Sequence, residues 1–375
     1  MTRSKAIRTE TNDQRHMAVA LELARRGLGR VWPNPAVGCV LVREGKVVGR
    51  GWTQPGGRPH AETEALDRAG RRAQGATAYV SLEPCAHQGE TPPCTEALIK
   101  AGIIRCAIAL EDPDPRASGR GIARMHEAGL VVQTGILADD ARELNEGFFS
   151  RINKGRPAIT LKFATTLDGI IATAGGESQW ITGALARQRG HLMRAEHDAV
   201  MIGIGTAIAD DPKLTCRLTG MKQFSPVRIV LDRNLRLPLT HPLVTTALEH
   251  RTWVVTKSGD SEERRVALEE YGVEVLGVDI GADGRLSIEQ TMRVLGERGI
   301  TRLLVEGGPT VSGSLLQAGI VDRIAWFRAP SLLGGDGVTA TAPLGLDTLA
   351  DAKIFRRVGV EAVGKDMLES FAVVS

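Results

Sequence analysis

Aromatic side chains are scarce in this 375-residue chain, where five Trp, two Tyr and seven Phe make up 4%. That leaves few faces on which nucleic-acid bases could stack. A charge of one sign is also missing: 47 Lys and Arg stand against 44 Asp and Glu, for a net +3. The first 150 residues hold 20 basic and 18 acidic groups and the remainder 27 and 26, so neither half is a basic module. A nucleic-acid partner therefore has no compositional support. No apolar run approaches the ~18–20 residues that cross a bilayer. Met1 to Arg15 is polar and charged, without the apolar centre of a secretory signal. The expected location is cytoplasmic, with no membrane partner. Cysteine is limited to Cys39, Cys85, Cys94, Cys106 and Cys216, an odd number in a large chain expected to be reduced. A disulfide scaffold is not expected on that ground, and metal or catalytic use of the thiols gains weight.

With 42% hydrophobic and 24% charged residues the composition is that of an ordinary globular protein. At ~100–200 residues per domain the length suggests two domains. The apolar spacing predicts a helix capped by Asp13 and carrying Met17, Ala20, Leu21 and Ala24, then a hairpin over 37–52. Helices are expected over 60–69 and 94–101, and strands over 76–82, 105–110 and 130–135. A further helix is expected over 139–153. Lys154-Gly155-Arg156-Pro157 reads as a linker, dividing the chain into domains 1–153 and 154–375. A second alternating series follows, with strands at 158–164, 199–204, 227–232, 252–256, 273–278, 302–306 and 323–328. The fold class is α/β in both halves.

Three residues in the first half have the character of metal ligands. His60 opens a helix, Cys85 ends a strand and Cys94 opens the next helix. A tetrahedral zinc takes nitrogen and sulfur donors, and a hydrolytic one keeps a position free for water. A cysteine at a helix start favours thiolate. Glu62 lies two positions from His60, where a carboxylate can take a proton from an activated water and hand it to a leaving amine. Hydrolytic removal of an amino group from a ring carbon needs that combination. The alternatives are a structural zinc, with Cys39 or Cys106 completing four ligands, and a non-catalytic zinc-stabilised binding protein. Cys39, Cys106 and Cys216 read as core. His16, His126, His191, His197, His241 and His250 read as structural.

Pro33-Asn34-Pro35-Ala36-Val37-Gly38, His60-Ala61-Glu62 and the run from Leu82-Glu83-Pro84-Cys85 to Pro92-Pro93-Cys94 resemble the deaminase half of the bifunctional riboflavin-pathway deaminase–reductase family. Its cysteines are separated by eight residues, whereas general nucleoside and transfer-RNA deaminases separate theirs by two. The resemblance implies a cytidine-deaminase-like α/β/α sandwich. It also implies His60, Cys85 and Cys94 as zinc ligands, one zinc per deaminase domain, and Glu62 as proton shuttle. The implied substrate is 2,5-diamino-6-(5-phosphoribosylamino)pyrimidin-4-one, with Asn34 and His87 as polar contacts. The family usually carries Lys or Arg where this chain has Glu90. A glutamate repels a phosphate dianion, so Arg58 or another cation is expected to take its place.

The second half lacks Gly-x-Gly-x-x-Gly after its first strand, and a standard dinucleotide-binding reading fails. It does contain strand–glycine–helix junctions at Gly203-Ile204-Gly205-Thr206 and Glu306-Gly307-Gly308-Pro309-Thr310, which suit close backbone approach to a phosphate. Lys162-Phe163-Ala164-Thr165-Thr166-Leu167-Asp168-Gly169 and Gly176-Glu177-Ser178-Gln179-Trp180-Ile181-Thr182 resemble the reductase half of the same family, a domain similar in fold to dihydrofolate reductase. That resemblance implies NADPH contacts at Ala164, Trp180, Thr206, Asp210 and a loop Gly308, Pro309, Thr310, Val311, Ser312, Gly313, Ser314. It implies substrate contacts at Ser178, Arg194, Leu214, Arg217 and Glu306, with Arg194 and Arg217 suited to a phosphate ester. The expected partners are a small phosphorylated pyrimidine and, at most, further copies of the same chain (a homo-oligomer). A base deaminase acting on RNA or DNA is the rival reading. The cysteine gap, the charge balance and the few aromatics oppose it.

Overall fold

The computed structural model describes the backbone of residues 2–89, 92–115 and 117–374, and the side chains from Asn12 onward. Glu90 lies outside the described residues. The chain divides into two compact units, Met1–Gly155 and Arg156–Ser375.

The first unit runs α1 (Thr2–Arg25), β1 (Gly38–Arg43), β2 (Lys46–Trp52), α2 (Ala61–Ala69), β3 (Thr77–Val80), α3 (Cys94–Lys100), β4 (Arg105–Ile108), α4 (Arg120–Glu127), β5 (Val131–Gln133), α5 (Ala138–Leu144) and α6 (Glu146–Lys154). The sheet order is β2-β1-β3-β4-β5. β1 pairs antiparallel with β2 and β3, while β3, β4 and β5 are parallel. One face carries Met17, Ala20 and Leu21 of α1 against Val40 and Tyr79. The other carries Ala61, Ala65 and Ala69 of α2 against Cys39, Leu41 and Val80. Those alanines meet glycines: a Cβ on Gly51 would lie 2.1 Å from the Ala61 carbonyl oxygen, and one on Gly49 2.2 Å from that of Ala65. Only glycine lets α2 approach β2 so closely. The contact fixes the start of α2, where His60 sits.

Two expectations are corrected in this unit. Asp13 does not cap a helix, because α1 already starts at Thr2. Its buried carboxylate instead accepts the Tyr79 hydroxyl at 2.6 Å and pairs with both terminal nitrogens of Arg105 at 2.9 and 2.6 Å. The helix expected over 139–153 is two helices, broken at Asn145. The Asn145 amide accepts from the Ala36 N–H and donates to the Ala36 carbonyl, both at 2.9 Å, so a tertiary bond competes with helical continuity there.

The second unit continues with β6 (Ala158–Thr165), β7 (Ile170–Ala172), α7 (Ala184–Ala195), β8 (Ala199–Gly203), α8 (Ile204–Asp210), β9 (Val227–Leu231), α9 (Pro242–Thr245), β10 (Thr252–Lys257), α10 (Glu262–Glu269), β11 (Glu274–Val278), α11 (Ile288–Glu297), β12 (Arg302–Val305), α12 (Pro309–Gln317), β13 (Arg323–Arg328), β14 (Val338–Thr339), β15 (Phe355–Val363) and β16 (Asp366–Val373). Nine strands form one sheet in the order β11-β10-β9-β8-β12-β6-β13-β16-β15. It is parallel from β11 to β13 and antiparallel from β13 through β16 to β15. The seven expected strands are present. The terminal hairpin β15–β16 was not expected, since β15 exposes residues on both faces and lacks the alternation that marks a half-buried strand.

Candidate active sites

In the first unit the chemistry sits at the carboxyl ends of the parallel strands, where α/β folds place ligands. The segment leaving β3 carries Cys85, α3 begins at Cys94, and His60 immediately precedes α2. Their donor atoms lie within 4.8 Å of one another, with His60 Nδ1 3.3 Å from Cys94 Sγ and 3.7 Å from Cys85 Sγ. The Cys94 N–H donates to Cys85 Sγ at 3.4 Å. Hydrogen bonds from the Cys94 thiol hold Cys85 down to about 4, against the opposing effect of burial, and His60 helps. One nitrogen and two sulfurs from three elements fit zinc and leave one tetrahedral position to a non-protein ligand. Glu62 is only 3% exposed, in the first turn of α2. Burial raises its carboxyl to about 7, with the His60 charge pulling the other way.

The bond set explains why Cys85 is held where it is, and it includes a residue that sequence reasoning passed over. Glu83 is buried at 4% exposure. Its carboxylate accepts the N–H groups of Gly121 at 2.8 Å, Gly119 at 3.0 Å, Ile122 at 3.1 Å and Asp112 at 3.2 Å. It caps α4 from a distance and ties the Pro84–Cys85 segment to that helix. The signal was available, since a Glu directly before Pro-Cys at a strand end has no reason to be buried unless it is bonded. Asn34 lies against Gly57, whose φ of 86° and lack of a side chain make room for the amide. His87 is exposed. Arg58 reaches the loop between the cysteines, where a Cβ on Gly89 would lie 3.3 Å from its guanidinium.

In the second unit, Ala164 near the end of β6, Gly203 at the end of β8 and Glu306 just after β12 mark the carboxyl edge of the parallel strands. A cavity of about 480 Å³ opens there. Ala164, Ser178, Trp180, Arg194, Thr206, Asp210, Leu214, Arg217, Glu306 and Gly308 all line it. The two glycine junctions meet: Thr206 Oγ1 would lie 3.2 Å from a Cβ on Gly308. Pro309 to Ser314 do not line the cavity and are not a loop. They form the first part of α12, with Val311, Ser312 and Gly313 buried. Val311 packs so tightly that a Cβ on Gly203 would come within 2.9 Å of it. What α12 offers the cavity is its starting glycine and the adjoining N–H groups.

Arg194 is also placed differently from expectation. Its guanidinium makes a two-pronged pair with Glu306, at 2.6 and 2.9 Å, and donates to the Thr215 carbonyl at 3.1 Å. Lys162 Nζ stands 3.8 Å from the same carboxylate. Burial would raise the Glu306 carboxyl, but Arg194 and Lys162 bring it down to about 2. Arg194 is therefore already paired, and Arg217 stands with Arg187 and Lys213 among the other cations that line the cavity. His191, read as structural, lines the cavity; it bonds the Thr215 carbonyl through Nδ1 at 3.1 Å and accepts from Arg217 Nε at 3.3 Å. Leu214 and Asp211 hold left-handed φ values of 53° and 42°, a strain concentrated in the segment that walls the cavity.

A family model described as the RibD C-terminal domain matches residues 157–368, and one described as the cytidine and deoxycytidylate deaminase zinc-binding region matches residues 10–110. The riboflavin biosynthesis protein RibD of Aquifex aeolicus is 43% identical over 359 residues, covering 96% of this chain and 98% of its own. The chain belongs to the RibD family. RibD of Escherichia coli is 41% identical over 371 residues, with 95% and 98% covered. The structure of Acinetobacter baumannii RibD superposes with a TM-score of 0.88 at 38% identity, covering 98% of this chain and all of the other. A diaminohydroxyphosphoribosylaminopyrimidine deaminase/5-amino-6-(5-phosphoribosylamino)uracil reductase from Thermotoga maritima gives 0.86 at 35% identity, with 98% and 100% covered.

As a member of that family, this chain is a bifunctional enzyme of riboflavin biosynthesis, a deaminase joined to a reductase and acting on a small pyrimidine. Its cofactors are zinc and NADPH, and the His60, Cys85 and Cys94 donor set suits the metal. The fold class is the expected one, a cytidine-deaminase-like unit followed by a dihydrofolate-reductase-like one. Among the described residues no helix is long and apolar enough to cross a membrane.

Proposed function

We propose that residues 1–153 are the deaminase domain, with His60, Cys85 and Cys94 as the zinc ligands and Glu62 as the proton shuttle, and that residues 154–375 are the reductase domain. The observation that carries the reading is the convergence of one imidazole and two thiols with a buried carboxylate alongside. When bound, zinc supplies a Lewis acid that lowers the pKa of a water molecule. Glu62 takes a proton from the attacking water. The water oxygen bonds to the amino-bearing ring carbon of 2,5-diamino-6-(5-phosphoribosylamino)pyrimidin-4-one, Glu62 passes the proton to the amino nitrogen, the C–N bond breaks with its electron pair going to nitrogen, and ammonia leaves a ring carbonyl behind. Asn34 and His87 orient the base, and Arg58 supports the phosphate in place of the cation that Glu90 does not provide.

In the second domain NADPH supplies a hydride that converts the ribosyl chain of 5-amino-6-(5-phosphoribosylamino)uracil to ribityl. Ala164, Trp180, Thr206, Asp210 and Gly308 at the start of α12 face the cofactor, with Gly308 making the near approach. Ser178, Leu214, Arg217 and the Arg194–Glu306 pair position the substrate. The charge balance and the scarcity of aromatics support a small phosphorylated substrate over a nucleic acid, and a cytoplasmic location accords with such a metabolite. The test is metal analysis of the purified chain, together with incubation of the diaminopyrimidine with and without NADPH and mass detection of products. Without NADPH the mass rises by the exchange of an amino group for oxygen; with it, two hydrogens are added. A chain lacking stoichiometric metal, or releasing no ammonia, overturns the proposal.

A further inference from the structure

A second cavity of about 480 Å³ lies in the first unit, along the free edge of β2, and none of the zinc-site residues lines it. Its walls hold four guanidinium groups, Arg26 at the end of α1, Arg50 on β2, Arg68 near the end of α2 and Arg72 just beyond, and no carboxylate. Leu23, Val47, Val48 and Trp52 supply the apolar part. Trp52 is held between two of the cations, with Arg26 4.8 Å and Arg68 4.9 Å from its ring. Like charges gathered in one recess repel, and they are normally relieved by interleaved acids.

Relief here is partial. Arg68 pairs with Glu64 at 2.7 Å and donates to the Arg50 carbonyl at 3.0 Å. Arg72 donates to the carbonyls of Ala69 at 3.2 Å and Arg68 at 3.0 Å, which anchors it at the end of α2. Among the described residues the Arg26 guanidinium makes only its stacking contact with Trp52, and the Arg50 guanidinium donates to no partner. Two cations are thus fixed by the fold, and two line the recess without a hydrogen-bonded partner for their guanidinium groups among the described residues. Stacking on Trp52 restricts Arg26 without using its donors, which reduces the entropy lost on binding.

We propose that this recess is an anion site for a multiply charged phosphoryl compound, of the class of a pyrophosphate or sugar phosphate, distinct from both catalytic sites. The planar forks of Arg26 and Arg50 suit phosphoryl oxygens, and a dianion or trianion would neutralise the excess charge. The inference does not depend on the catalytic reading. The experiment titrates the zinc-loaded full chain with inorganic pyrophosphate by calorimetry, at low salt and again with added chloride. The double variant Arg26→Gln/Arg50→Gln is expected to lose one binding event per chain, with affinity for that event reduced at least tenfold, while zinc content and both activities stay unchanged. Arg72→Gln provides a second variant, expected to weaken the same event more modestly. An isotherm identical in wild type and both variants overturns the proposal, because all binding would then belong to the catalytic sites. So does loss of binding together with loss of zinc or activity.

Discussion

The two sites differ in how far apart their parts lie along the chain. In the deaminase unit His60 and Cys94 are 34 residues apart; His60 immediately precedes α2, Cys94 opens α3 and Cys85 lies in the segment that follows β3. In the reductase unit the pair that organises the cavity, Arg194 and Glu306, spans 112 residues and joins the end of α7 to the end of β12. A metal site is built from a few strongly typed donors whose spacing is legible. A cavity for a cofactor and a substrate is built from ordinary residues whose role depends on what they meet. Arg194 illustrates this, since its character as a cation was plain and its partner was not.

The sharpest way to break the comparison is to disable one site and ask whether the other notices. Glu62→Gln is expected to lower deamination by about 10²–10⁴-fold, the usual weight of a positioned proton carrier, while zinc content and reduction stay unchanged. Ammonia release and NADPH oxidation, measured separately, decide it. Glu306→Gln is the converse. It leaves Arg194 and Lys162 facing a neutral amide in a buried site, so reduction should fall steeply and the second unit should lose about 3 kcal/mol of stability. Deamination should persist, and denaturant unfolding alongside NADPH oxidation tests both parts.

A third expectation concerns acid. The His197 ring is buried and bonded to the Met193 carbonyl at 2.7 Å and to Thr160 Oγ1 at 3.3 Å, and burial holds it down to about 3. The unfolded chain takes a proton near pH 6.5 that the folded chain refuses until about pH 3. Stability of the second unit is therefore complete above pH 6.5 and falls as the pH drops towards 3, by up to ~5 kcal/mol. Glu306, held near 2, adds a loss in the same direction below pH 4.5. His197→Gln should flatten the slope between pH 6.5 and 4.5, and an unchanged slope in urea unfolding series would mean another group is responsible. The smallest effects concern the phosphate of the deaminase substrate. Arg58→Gln should raise KM for deamination several-fold and Glu90→Lys should lower it, with kcat little changed in either.

The alternation of strands and helices and a donor set of His60, Cys85 and Cys94 that could hold a metal were readable, because periodicity and donor type are local properties. The break at Asn145 was not, since its cause is a bond to Ala36 from 109 residues away. Nor was the pairing of Asp13 with Arg105, which turned an apparent cap into a buried ion pair. The family resemblance implied a cofactor loop over Gly308–Ser314. In the fold only its first residue meets the cavity, because Val311 is drawn under β8.

The sequence by itself determined the chemistry available to this protein: which side chains could bind a metal, carry a proton or face a phosphate, and in which half each stood. Tertiary structure alone decided which of them are free to act. It set Glu83 on four N–H groups behind Cys85, closed Arg194 onto Glu306, and left Arg26 and Arg50 open beside Trp52. The reason is that charge and hydrogen-bonding capacity belong to a residue, whereas the partner that consumes them is chosen by packing between segments distant in the chain.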